Sequence, residues 1–252
     1  MKKLTALVLS ALLLFSLSIP AWGGGTLKVG TEAGFMPFEY VDEKTGELLG
    51  FDMDLIRAVG ETLGLKVEID NIHWDGLIPA LLNKNYDAVI AGMTITEERA
   101  ASVNFSEPYF ESVLTIVIKD QDQGLIKGTE DLTGKIAAVQ INTTGDFEAT
   151  DLAEAGALKS VARFDTVPDS MQAVLVGAAD VILVDLPVAK SYLAANPGAP
   201  LQHLGPITDN EFYGIAIHKQ NPELLEQINS ALKQLQADGT YDQIFDKWFG
   251  TE

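Results

Sequence analysis

Two four-residue runs, Ala88-Val89-Ile90-Ala91 and Val181-Ile182-Leu183-Val184, most narrowly limit what this chain can fold into. Runs so short and so wholly apolar suit strands buried on both faces, as in a parallel sheet covered by helices. Each follows an apolar helical stretch and a short break containing an Asp, and each ends in a polar turn: Leu77 to Gly92, and Met171 to Asp185. A plan used twice predicts two similar α/β lobes.

The remaining segments keep that rhythm. In the first half, Leu27 to Gly30 and Lys66 to Ile69 read as strands. Asp52 to Leu63 reads as a helix with Leu55, Ile56, Val59 and Leu63 on one face, and Asp75 to Leu82 as another. In the second half, Ile136 to Val139 and Ser160 to Phe164 are expected strands, and Phe147 to Glu154 and Pro168 to Val176 expected helices. The alternating run Val113 to Lys119 is expected to pass from one lobe into the other, and Phe212 to Ile217 to pass back. The chain's end is helical: Asn221 caps, Pro222 takes the first turn and Gly239 stops the helix, after which Tyr241, Ile244, Phe245 and Trp248 share one side of a second. The expected division is therefore a first lobe of residues 26–109 and 213–252, a second of 114–208, and hinges near 109–113 and 209–213.

Charge and side-chain chemistry exclude several classes of function. With 36 Asp and Glu against 17 Lys and Arg, the net charge of -19 repels phosphate backbones, and no basic cluster overrides it, so no nucleic-acid partner is expected. There is no Cys, which removes disulfides, thiolate nucleophiles and Cys-based metal sites, and His73, His203 and His218 are too scattered for a local metal motif. No metal and no cofactor is expected. Residues 1–23 have a basic start, an apolar stretch from Leu4 to Ile19 and small residues around Ala21-Trp22-Gly23, which is the pattern of a secretory signal peptide. The apolar stretch is shorter than the roughly 20 residues a bilayer span requires.

In an open α/β sheet, ligands bind beyond the carboxyl ends of strands, so the turns there hold the candidate residues. Arg99 follows the Ala88 to Ala91 run, in the first turn of a helix that Thr96 would cap; it reads either as a solvated partner of Glu97 or Glu98 or as a fork that grips a carboxylate, with the Thr94 hydroxyl beside it. Asp185, at the matching place in the other lobe, reads as a cap for the next helix or as a partner for an ammonium. An Arg and an Asp on facing lobes together suit a zwitterion, and the natural zwitterion is a free α-amino acid. Thr143 and Thr144 precede a helix whose N-terminus favours an anion, or else form a plain turn and cap. Phe35 and Trp74 offer flat faces to a ligand side chain, or pack as core. Glu32, directly after the first strand, is a negative handle or an exposed turn carboxylate.

Several motifs in order, Glu32-x-x-Phe35-x-Pro37-Phe38, Gly50-Phe51-Asp52-x-Asp54-Leu55, Asp87-Ala88-x-x-Ala91-Gly92-Met93-Thr94-Ile95-Thr96-x-Glu98-Arg99, Phe105-Ser106-x-Pro108-Tyr109 and Asp238-Gly239-Thr240-Tyr241 to Trp248-Phe249, resemble the polar amino-acid-binding proteins of ABC importers. The resemblance spans the chain after its leader, and it implies the two-lobed periplasmic-binding-protein-like type II fold, with two α/β lobes joined by two hinge strands. It implies that Arg99 and Thr94, with the Gly92 backbone and the Thr143 to Thr144 turn, hold the ligand's α-carboxylate while Asp185 holds its α-ammonium. It also implies that Phe35 and Trp74 sandwich the side chain, with Glu32 and Gln140 at its tip. Glutamine-binding members carry Lys where Gln140 stands and His where Val184 stands, and this chain departs from them there.

The function so implied is extracytoplasmic capture of a free polar L-amino acid, glutamine or a basic one, by hinge closure, with delivery to the permease subunits of an ABC transporter in the membrane. The protein is expected to be a periplasmic monomer and not an enzyme. A cyclohexadienyl-dehydratase-like enzyme on the same lobes would need a free acid or base in the cleft, for which Glu32 is the only candidate. A receptor module that senses the same ligand would differ only in its partner.

Overall fold

A computed structural model describes residues 24–250, so the expected leader at 1–23 lies outside the described residues. Two five-stranded sheets carry the fold. The first has the spatial order Lys66–Asn71, Thr26–Thr31, Ala88–Val89, Ala216–Ile217, Asn104–Phe105. The second has the order Ser160–Phe164, Ile136–Gln140, Val181–Asp185, Leu114–Lys119, Leu201–Pro206. In both sheets the first three strands are parallel, and the fourth runs against its neighbours on either side. The two lobes thus share one topology, as the repeated sequence plan requires.

The odd direction of the fourth strand follows from how the chain crosses between lobes. A short antiparallel ladder pairs Phe110–Ser112 with Glu211–Tyr213, and each of these strands leads at once into a fourth strand. A chain entering a lobe from the side where the parallel strands end must run back against them. The structure corrects the expected crossings here. Val113 to Lys119 does not cross: Leu114–Lys119 is inserted between Val181–Asp185 and Leu201–Pro206, where its apolar side chains are buried on both faces. Phe212 to Ile217 is likewise broken at Gly214, where the chain passes the Ile95 side chain so closely that a Cβ would stand 2.9 Å from it, and only then enters the first sheet at Ala216.

Helix Phe51–Leu63 buries Leu55, Ile56 and Val59 of the face its sequence spacing predicted, with Leu63 half-buried at its end, and it also buries Phe51 and Met53, which that spacing did not mark. Asn221 accepts from the Leu224 amide and starts helix Pro222–Ala237 as expected. The last helix, Thr240–Phe249, stacks Tyr241, Phe245 and Phe249 edge-on against Phe51, and Phe245 and Phe249 also pack on Phe110 of the crossing ladder. The crossing is thereby anchored to the first lobe at one end. Among the described residues no helix is long and apolar enough to cross a membrane.

Candidate ligand-binding site

The carboxyl ends of the parallel strands in both sheets face a single cleft. All of the candidate residues line it: Glu32, Phe35, Trp74, Gly92, Thr94 and Arg99 from the first lobe, and Gln140, Thr143, Thr144 and Asp185 from the second, with Ala91 alongside.

Arg99 is 8% exposed. Its backbone N–H donates to the Thr96 hydroxyl at 3.2 Å, so the expected cap sets the start of its helix and aims the side chain inward. Nη1 donates to the Thr94 carbonyl at 2.8 Å, Nη2 crosses the cleft to the Asn142 carbonyl at 3.0 Å, and the guanidinium carbon lies 5.2 Å from the centre of the Trp74 ring. Among the described residues no salt bridge joins it to Glu97 or Glu98, so the solvated-partner alternative is not the one realised. Burial lowers its pKa to about 10, an effect opposed chiefly by Asp185 and Glu211.

Asp185 ends its strand and directly precedes helix Leu186–Ala195, but its side chain makes no capping bond. The carboxylate instead accepts from the Tyr213 hydroxyl at 2.5 Å and the Ser112 hydroxyl at 3.0 Å. It is 6% exposed, and burial, with Glu211 adding to the effect, raises its pKa to about 7. Glu32, 7% exposed rather than a solvated turn carboxylate, also has its pKa raised by burial; its Oε2 accepts from Gln140 Nε2 across the cleft at 3.2 Å.

The threonines divide in role. Thr143 accepts from the Asp146 amide and donates to the Gln140 carbonyl, so its hydroxyl builds the turn and cap. Thr94 and Thr144 both donate to one oxygen of Glu211, at 3.0 Å and 2.8 Å. Gly92 differs from its expected part. Its N–H donates to Asp52 at 2.8 Å, leaving its carbonyl and not its amide for a ligand. Glycine is required there, since the backbone has φ +52° and a Cβ would stand 2.6 Å from the Phe35 ring. Phe35 packs on Phe38 and Tyr213, and Trp74 lies under Arg99 while its indole N–H reaches the Asn142 carbonyl at 3.2 Å, so both rings wall the cleft as well as lining it.

Sequence reasoning missed Asn142 and the three crossing residues Ser112, Glu211 and Tyr213. Asn142 adopts the left-handed conformation, φ 59°, which turns its carbonyl toward Arg99 and Trp74 while Nδ2 donates to Asp75 at 2.8 Å. A polar residue before a Thr cap was its only visible signal. The crossing residues gave none, because their importance comes from the ladder. Among the described residues, no group of three or more His, Cys, Asp or Glu side chains is placed to hold a metal ion.

Residues 27–251 match the bacterial extracellular solute-binding proteins, family 3. The chain is 34% identical over 232 residues to a protein of Neisseria gonorrhoeae named "Probable histidine-binding protein", a span of 91% of this chain and 85% of that one. It is also 34% identical over 255 residues to ABC transporter arginine-binding protein 1 of Escherichia coli K12, covering 99% of each. Among solved structures, an ancestral arginine-binding protein bound to arginine superimposes with a TM-score of 0.86 at 46% identity, covering 90% of this chain and 99% of that one.

Proposed function

Because this chain belongs to the bacterial extracellular solute-binding proteins of family 3, we propose that it captures a free polar L-amino acid and delivers it to the permease subunits of an ABC transporter, without chemistry on the ligand. The single observation that carries this reading is the meeting of Arg99 and Asp185, opposite in charge and contributed by facing lobes, on one cleft. A guanidinium fork suits an α-carboxylate, and a buried carboxylate that also accepts from Tyr213 and Ser112 suits an α-ammonium. The Gly92 carbonyl stands as a further acceptor for that ammonium. Phe35 and Trp74 then flank the side chain, and Glu32 with Gln140 receives its tip.

Arginine, lysine and histidine rank ahead of glutamine in this reading. The carboxylates of Glu32, Asp185 and Glu211 outnumber the one guanidinium, and the first two are already strained toward protonation by burial. A cationic side chain relieves that cost and an acidic one adds to it. Relatives named for arginine and histidine support the same order. Residues 110–112 and 211–213 act as the hinge, and ligand favours the closed form by as much as it binds that form better than the open one. The site of action is the periplasm, to which the leader directs the chain.

The test is a thermal-shift screen of the mature protein, unfolded and refolded to strip carried ligand, against free amino acids one at a time. A ligand at about 100 times its dissociation constant adds about 2.7 kcal/mol and raises the midpoint visibly. A shift with basic amino acids is the expected result; no shift with any amino acid overturns the proposal.

A further inference from the structure

Glu211 belongs to the crossing ladder and stands outside the residues that line the cleft, yet it reaches two that do. Its Oε2 accepts from the hydroxyl of Thr94 in the first lobe and from that of Thr144 in the second. A threonine hydroxyl has one proton to give. With both protons directed at Glu211, the two oxygens face the cleft with lone pairs only. We propose that Glu211 is a specificity-determining residue that fixes the proton direction of Thr94 and Thr144, so that they meet a ligand as acceptors and favour its ammonium over its carboxylate. The inference rests on the amino-acid reading above.

The consequence differs from what the resemblance implied, where Thr94 helps to hold the α-carboxylate. Here the carboxylate is left to Arg99, while the ammonium meets Asp185, the Gly92 carbonyl and two hydroxyl oxygens. The α-amino group then contributes more to recognition than in a site whose hydroxyls are free to turn. Glu211 acts on the ligand through the threonines, which makes it a positioning residue.

Two variants separate proton direction from charge. Glu211→Gln keeps an acceptor oxygen of the same reach and loses the charge, whereas Glu211→Met loses both. The dissociation constants of arginine and of 5-guanidinopentanoic acid, which is arginine without its α-amino group, are measured by calorimetry for each protein, and their ratio is compared. In the native protein a strong preference for arginine is the expected result. Glu211→Met is expected to narrow that preference at least about tenfold, because the freed hydroxyls can donate to the carboxylate both ligands share, while Glu211→Gln keeps it within about threefold. An unchanged ratio in Glu211→Met overturns the inference, and so does an equal fall in both variants, which would assign the effect to charge. A merely structural role would weaken both ligands together. Failure of the amino-acid reading shows itself separately, as absence of arginine binding to the native protein.

Discussion

Asp185 is the residue whose chemistry is most exposed to experiment. Its pKa is raised to about 7 by burial, so below that pH it is largely protonated and has no charge for an α-ammonium. A bound ammonium favours the ionised form, and binding at acid pH must therefore expel a proton. Affinity for an amino acid is expected to fall by up to about tenfold per unit as the pH drops below 7. Calorimetry at pH 6 in two buffers of different ionisation heat would register the released proton, and a flat affinity from pH 8 to 5.5 would remove Asp185 from the site. The place of this residue was legible as a polar stop after an all-apolar strand. Its partners were not: Tyr213 and Ser112 lie on separate crossing strands, and only their pairing brings both hydroxyls to one carboxylate.

At the level of elements, a buried acid pair joins the first helix to the cleft. Asp52, in the first turn of Phe51–Leu63, accepts from the Gly92 amide and the Tyr109 hydroxyl, while both oxygens of Glu39 and the other oxygen of Asp52 meet no donor among the described residues. Two desolvated carboxyls side by side resolve this by keeping a proton on Glu39, whose pKa burial pushes well above the usual range; that of Asp52 rises to about 6. Since both folded values lie above the unfolded ones, the folded state holds protons that the unfolded state has released. Stability therefore falls as pH rises from about 4 through the folded values. Urea unfolding of the ligand-free protein should give a larger free energy at pH 5 than at pH 8, and Glu39→Gln should flatten that difference. An unaltered slope in the variant would place the proton elsewhere. The helix itself was plain from its apolar spacing and its Gly50-Phe51-Asp52 start. The element the sequence misled on was the crossing, because alternation in Val113 to Lys119 marks a strand but not its neighbours.

Across the whole molecule, the two lobes meet through the turn after Ile136–Gln140. Asn142 alone gathers Arg99 and Trp74 on its carbonyl and Asp75 on its side chain, and Gln140 adds Glu32. Asn142→Asp tolerates the same left-handed backbone but sets a carboxylate against Asp75, and should weaken amino-acid binding about fivefold, the equivalent of about 1 kcal/mol. The reciprocal double variant, Asn142→Asp with Asp75→Asn, should recover affinity to within about twofold. Calorimetric affinities across the four proteins test the pair, and a double variant no better than Asn142→Asp would deny it. A repeated strand plan made two lobes readable from sequence, and motifs at the strand ends made the cleft residues readable. What holds the lobes to one another involves side chains far apart in the chain, and no local pattern announces it.

The discontinuous first lobe also bears on the order in which the molecule can come into being. Its sheet begins with Thr26–Thr31 but stays incomplete until Ala216–Ile217 arrives, and helix Pro222–Ala237 is later still. The second lobe comes from one unbroken stretch. For a chain appearing amino-terminus first, the half made earliest is thus the half finished last, and it stays an open thread for most of synthesis. The blueprint thus withholds the strand that completes the first sheet until the last sixth of the chain.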